Sequence, residues 1–259
     1  FTLSGWAAVL GAGKTPVILS LMGDDAYGVY TGVNKVRLSS RWLTVLTWMI
    51  QPFVKAIISK SHNIEKYVYL KNKSYVIPNG VDIEEFLKIP GDKRNGTKEK
   101  QAVLFLGNRA EKRKNYRLAA DAVQALKMPN VELINPYPIP HAEIPQLLQF
   151  ADVLVVPSFM EGSPNVVKEA MACNCPIVAT NTGDVKWVLG DTEGCYVSSF
   201  NLDEFTAKLK LALKFAKIHG RTDGMQRLTM LGLDEASVAK SVIDVYNIVL
   251  AGRMSYVPA

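Results

Sequence analysis

The stretch SFMEGSPNVVKEAMACNCPIVATNTG, Ser158 to Gly183, decides how this chain folds. It is preceded by ADVLVVP (Ala151–Pro157), a short unbroken apolar run of the kind that makes a strand covered on both faces. Val166–Cys173 has helical spacing, and PIVAT (Pro176–Thr180) is a second apolar run closed by the turn residues Asn181, Thr182 and Gly183. Strand, helix and strand in that order predict a βαβ unit, with its loop at the carboxyl edge of a parallel sheet, where open α/β sheets bind ligands. The loop Glu161-Gly162-Ser163-Pro164-Asn165 runs into the helix, so free N–H groups and the positive dipole end face any anion held there. Glu161 and Glu169 flank this helix start, one placed by the loop and the other by the helix. On pattern alone two readings of the pair stand level: carboxylates that meet one ligand, or a solvated loop acid and a surface helix acid.

The rest of the chain repeats the alternation. Ahead of this unit, Ala102–Leu106 and Val131–Ile134 read as strands. Asn115–Lys127 reads as a helix with Leu118, Ala119, Ala122, Val123 and Leu126 inward, and Ala142–Phe150 as a shorter one. Beyond it come a strand at Gly194–Val197 and helices at Leu202–Ile218 and Asp234–Leu250. An earlier series holds strands at Pro16–Leu21, Ala56–Ser59 and Ser74–Ile77. Its helical patterns run over Leu38–Ile58, broken at Pro52, and over Ile64–Leu70, while Met22 to Gly32 reads as a loop. The series meet at Ile77–Asp82, which divides the chain into residues 1–78 and 79–259, and Lys88–Lys100 reads as an exposed loop. The expected class is α/β with parallel sheets. Gly11-Ala12-Gly13-Lys14-Thr15 is not a P-loop: Ala8 stands where the first glycine belongs, and a strand follows where a helix should.

At 259 residues there is room for one large or two small domains, and 48% apolar with 21% charged residues is the balance of a soluble globular protein. The sequence has no apolar run near the roughly 20 residues that span a bilayer. Cys173, Cys175 and Cys195 lack a metal-knuckle spacing and a neighbouring histidine, so they read as buried reduced thiols of a cytoplasmic protein. The net charge of +6 is unevenly spread. Between Thr31 and Lys73 stand Lys35, Arg37, Arg41, Lys55, Lys60, Lys66, Lys71 and Lys73 against the single acid Glu65. A basic face of this kind suits an anionic membrane surface or a phosphorylated substrate, and the plainer alternative is a solvated helix face. The stripe Trp42, Val45, Leu46, Met49 and Ile50 reads first as core and second as a membrane contact. Trp42, Trp48 and Phe53 read as interior, not as a stacking platform, so no nucleic acid is expected.

A family resemblance rests on several motifs in order: Ile77-Pro78-Asn79-Gly80-Val81-Asp82; Gly107-Asn108-Arg109 with Lys114-Asn115; Ala151-Asp152-Val153 through Pro157-Ser158; and Glu161 followed eight residues later by Glu169-Ala170-Met171-Ala172. Together they resemble the retaining glycosyltransferases of family 4. The resemblance implies the GT-B fold, two Rossmann-like domains facing across a cleft, with residues 1–78 part of an acceptor-side domain that is incomplete at its N-terminus. Residues 79–259 correspond to the nucleotide-sugar domain, with the helix at about 234–250 returning to the first. By this resemblance Arg109 and Lys114 hold the donor diphosphate, with Asn108 beside them. Glu161 meets the donor sugar hydroxyls, the loop Gly162-Ser163-Pro164-Asn165 presents its backbone N–H groups, and Glu169 accepts from the ribose hydroxyls. His141 stands in a loop from which it reaches the base or solvent. Many relatives carry a histidine where this chain has Met22, which leaves Asp24 or Asp25 for the acceptor side.

The implied activity is transfer of a sugar from a nucleotide-diphosphate sugar to a glycan or lipid-linked acceptor with retention, in surface polysaccharide or glycolipid synthesis. It needs no metal and no cofactor. The expected place is the cytoplasm, peripheral to the membrane. The alternatives are a non-catalytic or truncated nucleotide-sugar-binding protein, and a GT-B nucleotide-sugar epimerase.

Overall fold

The computed structural model of the protein describes residues 2–87 and 100–252. The loop expected at Lys88–Lys100 lies outside the described residues, Lys100 excepted. The strands are β1 (Ile18–Leu21), β2 (Tyr30–Gly32), β3 (Lys35–Val36), β4 (Ala56–Ser59) and β5 (Ser74–Val76), then β6 (Gln101–Leu104), β7 (Val131–Ile134), β8 (Val153–Val156), β9 (Ile177–Thr180) and β10 (Cys195–Ser198). β1, β4 and β5 form one parallel sheet in that order, and β10-β9-β8-β6-β7 a second, also parallel. The unbroken apolar runs explain the layering. Every residue of β4, β8 and β9 is buried, which requires cover on both faces. In the second unit the helices Tyr116–Ala125 and Leu202–His219 supply one cover, through Leu118, Ala122, Phe205 and Leu209. Helices Asn165–Ala172 and Val185–Leu189 supply the other, through Val167, Met171, Val185 and Val188.

In the second sheet the chain leaves β6 for β7 on one side, then crosses to β8 on the other. The loops after β6 and β8 therefore diverge, and the crevice between them is the switch point at which open α/β sheets take ligands. The C-terminal helix Glu235–Leu250 starts at Asp234, whose carboxylate accepts from the Ser237 N–H at 2.8 Å. It packs Val245 against Ala56, Ile58 and Ile77 of the first unit. Backbone bonds from Val81 to Leu233 and from Glu235 to Val81 tie its start to the segment leaving β5. Among the described residues no helix is long and apolar enough to cross a membrane. Burial pushes the Cys173 and Cys195 thiols up to about 12, so neither is a nucleophile at neutral pH.

The first unit departs from the sequence reading in several places. Met22–Gly32 is not a continuous loop: a helical turn occupies Asp24–Tyr27, and β2 pairs antiparallel with β3. The helix expected over Leu38–Ile58 runs only over Arg41–Ile50, and a turn at Gln51–Phe53 follows, with Pro52 at its start. The stripe read as core is mostly outside. Ile50 is buried, but Trp42, Val45 and Met49 are exposed, and so are Trp48 and Phe53, which read as interior. RWLTVLTWMI is apolar on almost every side, and one layer of helix on a three-stranded sheet covers only the side that carries Thr47 and Ile50.

Candidate active site

A cleft of about 450 Å³ opens where the two units meet, lined by the loops after β1, β6 and β8 and by the start of helix Asn165–Ala172. The loop after β6 carries its cations on a tight turn, Lys112–Lys114, followed by Asn115 in the left-handed conformation. The Asn115 amide donates to the Pro157 carbonyl at 3.1 Å, and the Phe159 N–H to the Arg113 carbonyl at 2.8 Å, which joins this loop to the one after β8. Glu161 then sits between two cations: Lys114 Nζ lies 2.8 Å from Oε1 and Arg113 Nη1 2.7 Å from Oε2. The side chain is 8% exposed. Burial pushes the Glu161 carboxyl up, but Lys114 and Arg113 together outweigh it and hold the group below its ordinary value. Burial likewise works against the Arg113 charge, and Glu161, Glu111 and Asp24 more than restore it.

Glu169, one turn inside the helix, is buried as well, and its Oε1 lies 3.1 Å from His141 Nε2. Burial raises its pKa, and the hydrogen bond and charge of His141 oppose that rise. Both glutamates line the one cleft. The surface-acid reading of the pair is thereby removed.

Ser163 is committed elsewhere. Its Oγ accepts from Lys168 Nζ at 2.5 Å and from the Asn79 N–H at 3.1 Å, and it donates to Asp184 Oδ2 at 2.6 Å. Lys168, fully buried, also donates to Asp184 Oδ2 at 3.0 Å. The Asn79 amide donates to the Ser163 carbonyl and to Asn165 Oδ1, so the segment between the units grips the loop from outside. The hydroxyl of Ser163 is a fastening, and what this loop offers a ligand is backbone. The first N–H groups of a helix have no partner within it. Two glycines let the loops nest so closely. A Cβ on Gly162 would stand 2.5 Å from the Met22 carbonyl oxygen, and one on Gly183, whose φ is +59°, would strike the carbonyl oxygens of Gly162 and Glu161.

Other residues singled out by sequence fall differently. Arg109 turns to Asn135, to which its Nε donates, and stands over the Tyr116 ring, and neither it nor Asn108 lines the cleft. Asn108 accepts from the Ala110 N–H at 2.9 Å. Arg113, which sequence reasoning passed over, takes the position beside Glu161. The adjacent acids split. Asp25 is buried and accepts from the Gly23 N–H at 2.8 Å and the Met22 N–H at 3.1 Å, so it shapes the loop. Asp24 faces Arg113, and burial raises its carboxyl. Among the described residues no three His, Cys, Asp or Glu side chains converge on a point that could hold a metal ion.

Residues 127–214 match the family model described as Glycosyl transferases group 1. Over 110 residues the chain is 29% identical to the N,N'-diacetylbacillosaminyl-diphospho-undecaprenol alpha-1,3-N-acetylgalactosaminyltransferase of Campylobacter jejuni, covering 42% of this chain and 29% of that one. Over 212 residues it is 26% identical to the UDP-Gal:alpha-D-GlcNAc-diphosphoundecaprenol alpha-1,3-galactosyltransferase of Escherichia coli, covering 66% of this chain and 54% of that one. The chain thus spans at most about half the length of these relatives. Among solved structures, the sucrose-phosphate synthase of Thermosynechococcus elongatus superposes with a TM-score of 0.74 at 17% identity, over 97% of this chain and 73% of that one. The two units therefore have the GT-B fold.

Proposed function

We propose that the protein moves a sugar from a nucleotide-diphosphate donor to a glycan or lipid-linked acceptor, with retention of configuration, in the assembly of a surface polysaccharide or glycolipid. The observation that carries this reading is the arrangement around Glu161: two cations, two buried carboxylates and a helix N-terminus on one cleft. Sugar transfer from such a donor leaves a nucleoside diphosphate with new negative charge. Fixed cations beside that charge stabilise the transition state more than the ground state. Lys114 and Arg113 are the cations for that task, and in the empty cleft Glu161 serves as their counter-ion. Arg109, released from Asn135, adds a third. They do the work that a divalent ion does elsewhere, so no metal is required.

The buried carboxylates suit hydroxyl groups, which donate to them: Glu161 those of the donor sugar and Glu169 those of the ribose. Ser163 and Asn165, on either side of Pro164, contribute backbone N–H groups to the diphosphate. Retention needs no protein nucleophile if the acceptor hydroxyl attacks from the leaving-group face and gives its proton to the departing phosphate oxygen. Asp24, across the cleft on the first unit, is the acceptor-side carboxylate. The names of the bacterial relatives, both acting on undecaprenol-linked diphosphates, support a lipid-linked acceptor.

The test is release of nucleoside diphosphate from a panel of UDP-, GDP- and ADP-sugars, with and without polyprenyl-diphosphate glycans, followed by anomeric assignment of the product. Acceptor-dependent release of one nucleotide with an α-linked product from an α-linked donor supports the reading. An inverted product, or no release of nucleoside diphosphate from any donor of the panel, would refute it.

A further inference from the structure

The helix Arg41–Ile50 has an outer face that nothing in the described structure covers. At about 100° per residue, Arg41, Trp42, Val45, Trp48 and Met49 fall within an arc of about 120°. All are exposed, the two tryptophans at 48% and 55%. The face extends at both ends, to Leu38, 76% exposed, in the turn before the helix, and to Phe53, 61% exposed, in the turn after it. Tyr69 joins it from the side, with its ring centroid 4.9 Å from that of Trp48. A contiguous exposed patch of large apolar side chains marks an interaction surface.

The charges around it name the partner. From Gly28 to Ile64 the sequence contains no aspartate or glutamate. Lys35, Arg37, Arg41 and Lys55 are exposed on and beside this stretch, and among the described residues none has a carboxylate partner. Tryptophan has an apolar body and one polar N–H, which suits the level of lipid headgroups. Lysine and arginine at that level gain from an anionic leaflet. We propose that this face lies on an anionic phospholipid surface, with Trp42, Val45, Trp48, Met49 and Phe53 in the interface and Arg37, Arg41 and Lys55 at the headgroups. It binds as an in-plane amphipathic helix does, without crossing the bilayer. The inference stands on this face alone and does not depend on the donor chemistry of the cleft. If the proposed activity holds as well, it keeps the enzyme at the surface that presents a lipid-linked acceptor.

The experiment is flotation of the full chain with vesicles of phosphatidylglycerol and phosphatidylcholine, or of phosphatidylcholine alone, at low and high salt. The parent protein is expected to float with the anionic vesicles, with a blue shift of tryptophan emission, and to lose most of that binding in neutral vesicles or high salt. Trp42→Ser/Trp48→Ser is expected to lose binding while keeping the parent circular dichroism. Arg37→Gln and Arg41→Gln are each expected to lower the partition coefficient roughly fivefold. Equal partition into both vesicle types, unchanged binding of folded variants, or no binding at all would overturn the inference. So would self-association that buries the tryptophans and is abolished by the same substitutions.

Discussion

Replacing Lys168 by methionine tests the least exposed part of the site. Methionine keeps the length of the side chain and removes the ammonium group, which is buried at 0% exposure between Ser163 Oγ and Asp184 Oδ2. Burial pulls the Lys168 pKa down and Asp184 opposes that, so the pair is held together by mutual need in a dry place. Without the lysine, the Asp184 carboxylate keeps only the Ser163 hydroxyl. Its other oxygen, Oδ1, already lacks a partner in the structure. Removing one member of a buried ion pair costs about 3–5 kcal/mol. For a chain of this size that lowers the melting temperature by on the order of 10 °C. Adding Asp184→Asn removes the stranded charge, so the double variant should regain more than half of the loss. Urea denaturation of the parent, the two single variants and the double variant gives the coupling directly. A Lys168→Met protein within about 1 kcal/mol of the parent, or a double variant no better than the single one, would refute the reasoning.

Other outcomes follow from the same geometry. Gly183→Ala should destabilise by at least about 2 kcal/mol in urea, because a left-handed backbone and two carbonyl oxygens leave no room for the methyl group; a neutral result would mean that the loops are not nested as described. Glu161 and Glu169 should respond to pH in opposite senses. The folded pKa of Glu161 lies below its ordinary value of 4.5, so its stabilising contribution is complete above that value and is lost as pH falls through the folded one. The stability gap between parent and Glu161→Gln should therefore close on acidification. The folded pKa of Glu169 is raised, so its contribution is complete below 4.5 and lost as pH rises through the folded value. Titrating denaturation midpoints of both glutamine variants against the parent checks the two signs, and parallel curves would contradict them.

How much of this was legible in the sequence depends on what periodicity and spacing encode. ADVLVVP and PIVAT are unbroken apolar runs, which only a doubly covered sheet can bury, so the second unit could be read almost whole. The positions of Glu161 and Glu169 follow from that unit, because a loop and a helix start fix them both. The basic loop is harder. The family resemblance singled out Arg109 beside Lys114, yet the tight turn at Lys112–Lys114 and the left-handed Asn115 swing Arg113 over the cleft, and no periodic pattern announces such a turn. Asp24 and Asp25 differ only in which way their side chains leave one helical turn, and sequence spacing does not distinguish a loop-shaping acid from its neighbour. The Arg41–Ile50 helix illustrates a different limit. Periodicity says which side of a helix is apolar, but it does not say whether anything covers that side.

The most direct test of the central claim is calorimetric titration of the protein with UDP, GDP and ADP, repeated on Lys114→Ala and Glu169→Gln. The account predicts saturable binding of one of them without added metal, and a loss of at least about tenfold in affinity for Lys114→Ala, the equivalent of one charge-assisted hydrogen bond to the diphosphate. Absence of saturable binding for all three nucleotides, or a Lys114→Ala protein that binds as tightly as the parent, would contradict it.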